Sequence, residues 1–586
     1  MKRTLFAFMT LAFCCFGARA QNKNITITLV ETSDVHGSFF PYDFITRKPK
    51  AGSMARVATF INDLRQKKGT ENVYLLDNGD ILQGQPISYY YNYIDKQQEN
   101  IAASVINFMH YDATTVGNHD IETGHAVYDK WIRELHCPVL GANIIDTRTQ
   151  KSYVLPYTII KKKNGVKVAV VGMLTPAIPN WLEENLWKGL RFEDIVSSAK
   201  KTIATLKANE NPDVIVGLFH SGWDGGIITP NYVEDASKMV AEEVDGFDVV
   251  FFGHDHKPHN SIETNKDGNE VLCLDPANNA QRVAVATITL APVKKKNKSG
   301  KQFNVVKKWG ELVSVADLAI DKPFMAHFEK QIDKVKQWAN TEIGRFDNTI
   351  STKDCFFGNS AFNDLILNLE LQITKADIAF NAPLGFNSVI KAGPITVGDM
   401  FSLYKYENQL YVMRLTGKEI KNYLEMSYNL WTNTMKSPDD HLLLLSNDTR
   451  DDSQRLGFKN FSFNFDSAAG IDYEVDVTKP YGQKVNIIKM SNGQPFDEAK
   501  YYNVAVNSYR GNGGGELLTK GAGIPHDELK KRIVWRSDRD QRYYLMEEIK
   551  KAGTLNPQPN HNWKFVPVEW TDKAAARDRK LLFGGE

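Results

Sequence analysis

Cysteine is scarce in this chain, which has five in 586 residues, two of them within the first 20 residues. The other three, Cys137, Cys273 and Cys355, are odd in number and far apart. Such a set excludes a disulfide framework. None of the three belongs to a Cys-x-x-Cys pair, so we expect free, buried thiols without a catalytic or zinc-binding role.

Long apolar runs are absent after residue 20, so no segment is predicted to cross a membrane. The first 20 residues combine basic Lys2 and Arg3, a short apolar run and the small-x-small triplet Ala18-Arg19-Ala20. This pattern predicts a secretory signal peptide over residues 1–20. The apolar run is too short for a membrane anchor. We therefore expect a secreted, periplasmic protein.

A charge excess of either sign is also absent. Removing the three basic residues of the leader from the total of 71 leaves 68, against 70 acidic residues. Such a balance gives no reason to expect binding to a nucleic-acid polymer. No feature of the sequence implies a protein partner, so a small-molecule substrate is expected.

Five short polar clusters, each at the end of an apolar run, carry the chemistry of this chain. They supply carboxylates, an amide and several imidazoles, a mixture that suits two adjacent divalent transition metals. Each cluster alone is a weak signal, because an isolated histidine is more often a satisfied core residue. All five fall in the same half of the chain. They are Asp34-Val35-His36, Gly79-Asp80, Gly117-Asn118-His119-Asp120, His220 and Gly253-His254-Asp255-His256.

The runs that precede these clusters are typical of strands buried on both faces, and the segments between them have helical spacing. Val73–Leu76 and Val249–Phe252 are two such runs, while Ile195, Ala199 and Ile203 mark one of the helices. The pattern predicts an α/β fold. Functional groups of such folds collect at the carboxyl ends of the strands.

In this order, the five clusters resemble those of calcineurin-like metallophosphoesterases. More closely, nearly the whole chain resembles secreted bacterial 5′-nucleotidases and 2′,3′-cyclic-nucleotide 2′-phosphodiesterase/3′-nucleotidases. The resemblance implies a four-layer α/β/β/α sandwich, joined by a helix to a C-terminal α+β nucleotide-binding domain. It also implies a metal-dependent hydrolase of nucleotide phosphate esters, in which the second domain rotates on the helix.

The predicted organisation has five parts. At 586 residues, two domains are expected. The residues around Phe324–Trp338 have the spacing of a surface helix between them. The parts are a signal peptide at 1–20, a metallophosphoesterase domain at 24–320, a linker helix at 321–344, a substrate-binding domain at 345–570 and a charged, peripheral tail at 571–586.

Carried over by motif, the resemblance implies seven ligands for two divalent metal ions, which would be Zn, Mn or Co. Asp34, His36 and His256 would bind one ion. Asn118, His220 and His254 would bind the other, and Asp80 would bridge the two. A bridging carboxylate suits this position because two nearby dications need negative charge between them. Asn118 is also expected to contact the substrate.

The resemblance makes His119 a catalytic residue and not a ligand. It would stabilise the transition state or assist the leaving oxygen. Glu122 stands three residues on, where one helical turn would bring it against the imidazole and fix its tautomer. Asp120 is expected to support the site by capping, and Asp255 is expected to point away from the metals.

Two aromatic residues of the second domain are candidates for stacking on the base. By the resemblance these are Phe465 and Tyr509, and stacking of this kind is worth about 1–3 kcal/mol per base. Tyr509 opens the glycine-rich stretch Gly511–Gly515. Phe465 has an alternative interpretation as a core residue, because Phe461, Phe463 and Phe465 alternate like one face of a buried strand.

The sequence departs from the 5′-nucleotidase pattern in this domain. The stretches that match the family's phosphate-binding arginines, Asn381–Asn387 and Cys355–Asn359, contain no arginine. The usual ribose-binding Asp is replaced by glycine in Gly513–Gly515. We therefore favour 2′,3′-cyclic nucleotides and 3′-nucleotides as substrates. A 5′-nucleotidase or UDP-sugar hydrolase is the alternative, and a catalytically inactive nucleotide-binding protein is the alternative from another class.

Overall fold

The computed structural model describes residues 24–293, 301–446 and 457–584. The predicted signal peptide lies outside these residues. Within them, no helix is both long and apolar enough to cross a bilayer. Cys137, Cys273 and Cys355 are free thiols, and the latter two are buried while Cys137 is half-buried. The expectation of unpaired cysteines is thus confirmed.

The first half of the chain contains two six-stranded sheets that pack face to face. Their shared core is formed by side chains such as Leu29 and Tyr74 from one sheet and Val216 and Phe251 from the other. The first sheet has the order Phe303–Ser314, Arg282–Pro292, Ile25–Thr32, Val73–Asp77, Ala113–Thr115, Val139–Leu140. The second has the order His259–Thr264, Glu270–Asp275, Val249–Phe252, Val214–His220, Lys167–Leu174, Tyr157–Lys161.

Helices cover the outer face of each sheet and complete four layers. Val30 and Leu75 face helices on one side, while Val171 and Ile215 face helices on the other. The central strands are therefore apolar on both faces, as their sequences predict. The predicted α/β/β/α sandwich is confirmed. The covering helices are Met54–Lys68, Ile101–Met109 and His125–Glu134 on the first sheet, and Ile195–Asn209 and Ser237–Glu243 on the second.

The linker differs from the single helix predicted over 321–344. Two helices, Lys322–His327 and Glu329–Ala339, meet at Phe328. Phe328 is fully buried and its ring lies 5.6 Å from that of Phe40 in the first half. The strand Glu342–Phe346 follows and already pairs with strands of the second half. The second half of the fold thus begins three residues before the predicted boundary.

The second half is an α+β structure around a five-stranded sheet. This sheet has the order Ser467–Ala469, Ile378–Asn381, Tyr501–Asn507, Gln409–Thr416, Ile533–Asp540. A three-stranded sheet has the order Val485–Met490, Ile471–Asp476, Trp563–Val566. The principal helices are Ala361–Thr374, Val397–Leu403, Gly417–Trp431, His526–Arg532, Gln541–Ala552 and Val568–Phe583.

The predicted tail at 571–586 is instead an integral helix as far as it is described. Ala574 and Asp578 on the helix Val568–Phe583 are fully buried. The Asp578 carboxylate accepts hydrogen bonds from His441 Nδ1 at 2.5 Å and from Leu443 N at 2.9 Å. The buried residues of this helix recur on one face, so its other charged residues cover the opposite face.

Phe465 belongs to the core, which corrects its assignment as a base-stacking residue. Its side chain is fully buried. The ring is parallel to Trp431 within 2°, with centroids 5.6 Å apart, and packs edge-on against Phe458. The preceding 3₁₀ turn, Ser462–Asn464, breaks the strand-like alternation, so Phe463 stays half-buried while Phe465 turns inward.

We expect Phe465→Ala to lower the free energy of unfolding of the second half by about 3–5 kcal/mol, because it leaves a cavity between Trp431 and Phe458. Urea denaturation followed by tryptophan fluorescence measures this loss. Phe463→Ala is the matched control and should cost much less stability, since Phe463 is already partly exposed. Equal losses for the two variants would contradict this assignment.

Candidate active site

The five predicted clusters meet at one edge of the sandwich. The strands Ile25–Thr32, Val73–Asp77 and Ala113–Thr115 run parallel in one sheet, and Val214–His220 and Val249–Phe252 run parallel in the other. Their carboxyl ends therefore face the same way, and the polar residues that follow them converge. Each sheet supplies part of the set, so the site depends on the packing of the two sheets.

The backbone at these strand ends is held in an uncommon conformation. Five of the seven predicted ligands have a positive φ, between 47° and 81°. Such conformations are costly for residues other than glycine and cluster at functional sites. The side chains of these five residues converge in the folded chain. The five residues are Asp34, His36, Asp80, His254 and His256.

Two glycines allow these turns to approach each other. A Cβ on Gly117 would lie 2.0 Å from Asp80 Oδ1, and a Cβ on Gly253 would lie 2.5 Å from Asp34 Oδ2. A side chain at either position would displace a predicted ligand. These glycines are therefore required by close approach and not merely by turn formation.

The first donor set consists of Asp34, His36 and His256. His256 Nε2 lies 3.2 Å from Asp34 Oδ1 and 3.1 Å from His36 Nε2. Asp34 Oδ1 is buried, whereas Oδ2 accepts hydrogen bonds from Ser33 Oγ at 2.5 Å and from His254 N at 3.1 Å. Oδ1 of Asp34 is thus the oxygen that faces the two imidazoles.

The second donor set consists of Asp80, Asn118, His220 and His254. Asn118 Oδ1 lies 3.0 Å from His220 Nε2 and 2.9 Å from His254 Nδ1. His220 Nε2 also lies 3.1 Å from Asp80 Oδ2. Donor atoms of Asp34, Asp80 and His220 lie within 4.8 Å of one another. Asp80 and its neighbours therefore connect the two sets, as a bridging carboxylate requires.

Charge in the site is compatible with cation binding. Burial opposes ionisation, but His220 and His256 hold the pKa of Asp34 below its ordinary value, and His220 and His119 do the same for Asp80. Both carboxyls are therefore anionic near neutral pH. Burial and the neighbouring His256 lower the pKa of His36 to about 3, which leaves a neutral imidazole with a free lone pair.

The residues present fit two divalent ions. Imidazole, carboxylate and amide groups of the two sets converge at 2.9–3.2 Å from one another, so each set can offer several ligand atoms to one ion. Imidazole nitrogen with carboxylate and amide oxygen is a ligand mixture that Zn, Mn and Co accept. The donor chemistry does not select among these ions.

His119 lies beside the donor sets and is held by Glu122. Both are on the short helix Asn118–Glu122, and Glu122 Oε2 accepts a hydrogen bond from His119 Nδ1 at 2.5 Å. Burial lowers the pKa of His119, but the charges of Glu122 and Asp80 outweigh it and raise the pKa to about 10. The imidazole is therefore a hydrogen-bond donor at neutral pH.

The carboxylates of Asp120 and Asp255 bind backbone N–H groups and do not belong to the donor sets. The Asp120 carboxylate accepts from four backbone N–H groups at 2.8–2.9 Å, those of Gly117, Asp80, Ile81 and Leu82. This fixes the turn that carries Asp80. The Asp255 carboxylate accepts from Trp223 N at 3.1 Å and Lys257 N at 2.9 Å. Both placements agree with the sequence-based expectations.

Sequence reasoning missed two residues that contact the imidazoles. Glu234 Oε1 lies 3.0 Å from His254 Nε2, and the Asn278 amide lies 2.8 Å from His256 Nδ1. Asn278 follows the strand Glu270–Asp275, which runs parallel to Val249–Phe252. Polar residues at the end of this further strand were therefore a signal that could have identified Asn278. Glu234 lies on a hairpin whose sequence has no metal-site pattern.

Residues of the second half face this site. The Tyr406 ring lies parallel to His119 within 8°, with centroids 6.4 Å apart. Asn512 Nδ2 donates to Trp181 O at 3.4 Å, and the Trp181 ring lies 5.6 Å from His254. The donor sets therefore lie at the boundary between the two halves.

Tyr509 lies near this boundary, with Phe463 and not Phe465 beside it. The Phe463 and Tyr509 rings are edge-to-face, with centroids 6.3 Å apart. Arg510 is only 2% exposed, and its Nε and Nη2 donate to Asp466 Oδ2 at 3.0 Å and Oδ1 at 2.9 Å. This bidentate pair commits the guanidinium to the protein interior.

Two family models match the chain. One, for calcineurin-like phosphoesterase, matches residues 27–258, and the other, for the 5′-nucleotidase C-terminal domain, matches residues 341–520. Among solved structures, the 5′-nucleotidase precursor of Thermus thermophilus superposes with a TM-score of 0.62 at 22% identity, over 93% of this chain and all of the other. At this level of identity, the likeness shows the fold alone.

Two curated relatives match most of the chain. A trifunctional nucleotide phosphoesterase of Bacillus subtilis is 28% identical over 94% of this chain, which spans 39% of that longer protein. A 2′,3′-cyclic-nucleotide 2′-phosphodiesterase/3′-nucleotidase of Haemophilus influenzae is 26% identical over 96% of this chain and 90% of its own length. The chain therefore belongs to the calcineurin-like metallophosphoesterases, which are metal-dependent phosphoesterases, and carries a C-terminal domain of the 5′-nucleotidase type.

Proposed function

We propose that this protein hydrolyses phosphate esters of nucleotides with two divalent ions held by the two donor sets. The observation that carries the proposal is the pair of adjoining sets with Asp80 between them. When bound, such ions acidify a water molecule and neutralise charge on the phosphoryl group. Asp34, His36 and His256 would hold one ion, and Asn118, His220 and His254 the other.

His119 would act directly on the substrate. Its Nδ1 is taken by Glu122, so its other nitrogen is the one left to donate a proton or a hydrogen bond. A cation at this position favours the negative charge that develops on the phosphoryl or leaving oxygen. Glu122 keeps the ring in one orientation and raises its basicity.

We propose 2′,3′-cyclic nucleotides and 3′-nucleotides as the preferred substrates. Neither Asn381–Asn387 nor Cys355–Asn359 offers an arginine for a distant 5′-phosphate. Arg510, which directly follows Tyr509, is buried against Asp466. A phosphate on the ribose itself needs only the metals and stacking of the base, for which Tyr509 remains the candidate. The Haemophilus relative's name supports the same choice.

Hydrolysis of 5′-nucleotides or UDP-sugars is the second candidate. Lys405 is exposed and lies over the ring of Tyr406, which itself faces His119. Lys405 is therefore a cation near the site, and it lies outside the stretches that match the family's arginines. An inactive nucleotide-binding protein is disfavoured, because all seven predicted ligands are present and gathered. The leader-like residues 1–20 support action outside the cytoplasm.

Removal of metal should abolish turnover. We expect EDTA followed by desalting to give inactive protein, and Mn²⁺, Zn²⁺ or Co²⁺ to restore activity up to two ions per chain. Release of phosphate from nucleotides and elemental analysis of the same samples measure the two quantities. Activity that survives in metal-free protein would reject the binuclear mechanism.

Replacing His119 should separate chemistry from metal binding. His119→Ala is expected to retain two ions and to lose about 10²–10⁴-fold in kcat, the range of general acid–base catalysis. Asp80→Ala should lose metal, because it removes the bridge. His125→Ala is a suitable control, since His125 pairs with Asp129 away from the site. A His119→Ala protein that lacks one ion but is active in excess metal would contradict this role.

The substrate class can be tested on one purified sample. We expect kcat/KM for 2′,3′-cyclic AMP and 3′-AMP to exceed that for 5′-AMP and a UDP-sugar. Lys405→Ala adds a second test, because it should selectively lower the 5′-AMP rate if Lys405 binds a 5′-phosphate. A clear preference for 5′-AMP, lost in this variant, would establish the second candidate instead.

A further inference from the structure

The two ring nitrogens of His254 face different partners. Nδ1 lies 2.9 Å from Asn118 Oδ1 within the second donor set, and Nε2 lies 3.0 Å from Glu234 Oε1 outside it. A neutral imidazole carries one N–H. If the Glu234 carboxylate accepts that N–H at Nε2, the lone pair of Nδ1 is left facing the metal position. The contact therefore selects the tautomer that binds metal.

Glu234 is itself held in place on the hairpin formed by Gly225–Ile228 and Val233–Asp235. Its Oε2 accepts a hydrogen bond from Ile227 N at 2.6 Å, and its side chain is 12% exposed. A Cβ on Gly226 would lie 2.7 Å from the same carboxylate oxygen. The hairpin thus closes around the carboxylate and leaves Oε1 directed at His254.

Two other predicted ligand imidazoles, His220 and His36, have weaker outer partners. His220 Nδ1 lies 2.7 Å from Asn78 O and His36 Nδ1 lies 3.3 Å from Gln83 O, so each faces a backbone carbonyl. A carboxylate partner attracts the proton more strongly than a carbonyl does, and it makes the imidazole a stronger donor to metal. Of these three imidazoles, His254 has the partner with the greater effect.

We propose that Glu234 is a positioning residue for the second metal position, acting through His254. It orients the ring, fixes the proton on Nε2 and strengthens Nδ1 as a ligand. This inference rests on the proposed function, because it needs a metal between His254, His220 and Asn118. It identifies a determinant of metal affinity outside the five clusters, on a hairpin between the strands Val214–His220 and Val249–Phe252.

The test compares Glu234→Ala and Glu234→Gln with Asp224→Asn in metal-free protein. Asp224 is an exposed carboxylate just before the hairpin and pairs with Lys238, so it is a matched control for charge removal. Co²⁺ titration followed by absorption spectra, with elemental analysis, gives the affinity of each metal position. Thermal unfolding of the metal-free proteins measures any effect on the hairpin itself.

We expect Glu234→Ala to weaken binding of one ion by about 10–100-fold and to leave the other unchanged. Glu234→Gln should fall between Ala and wild type, because an amide oxygen accepts the same hydrogen bond without the charge. Metal-free unfolding of both should match that of Asp224→Asn. Weaker metal binding without loss of metal-free stability supports positioning.

Two results would overturn the inference and are distinguishable from each other. If wild type binds two ions and Glu234→Ala binds both with wild-type affinity, Glu234 only anchors the hairpin and the proposed function stands. If wild-type protein binds no divalent ion, the metal centre itself is rejected, and the role of Glu234 is rejected with it.

Discussion

The convergence of seven polar side chains in a largely buried place is the constraint on which the rest of this structure depends. The Nε2 atoms of His36 and His256 lie 3.1 Å apart, and the buried Oδ1 of Asp34 lies 3.2 Å from His256 Nε2. A rigid frame is needed to hold such groups together, because burying polar and charged groups is unfavourable. Two packed sheets supply that frame, and their parallel strands all end at the same edge.

The local features of the site follow from this constraint. Five predicted ligands have positive φ angles, and Gly117 and Gly253 let the turns that carry Asp80 and Asp34 approach them closely. Asp120 ties down four backbone N–H groups around Asp80. Glu234 adds the same kind of support from a separate hairpin. The unfavourable backbone conformations around the donor sets are thus stabilised by many separate hydrogen bonds.

The second half of the chain borders the site from the other side. Arg536 Nη1 lies 2.9 Å from Glu183 Oε1, and Tyr89 Oη donates to Asp540 at 2.8 Å, so polar pairs join the halves around the donor sets. The Tyr406 ring lies parallel to that of His119. Residues of both halves therefore border the proposed substrate site.

Sequence alone determined the features that depend on local pattern. Apolar runs predicted the strands, and the polar residues at their ends predicted the donor types, because the carboxyl ends of parallel strands share an edge. The order of the motifs indicated the family. The pattern was less informative for residues 321–344 and 571–586. These segments have many charged residues on the exposed helix face, which makes the buried face hard to recognise in the sequence.

Only the tertiary structure decided which side chains meet across long separations. Phe465 joins Trp431 in the core while Phe463 stays near Tyr509, because a 3₁₀ turn rotates their shared segment. Arg510 donates hydrogen bonds to Asp466, 44 residues away in the sequence, and Glu234 contacts His254, 20 residues away. Such contacts depend on how separate elements pack, and packing depends on the whole set of neighbours and not on any local spacing.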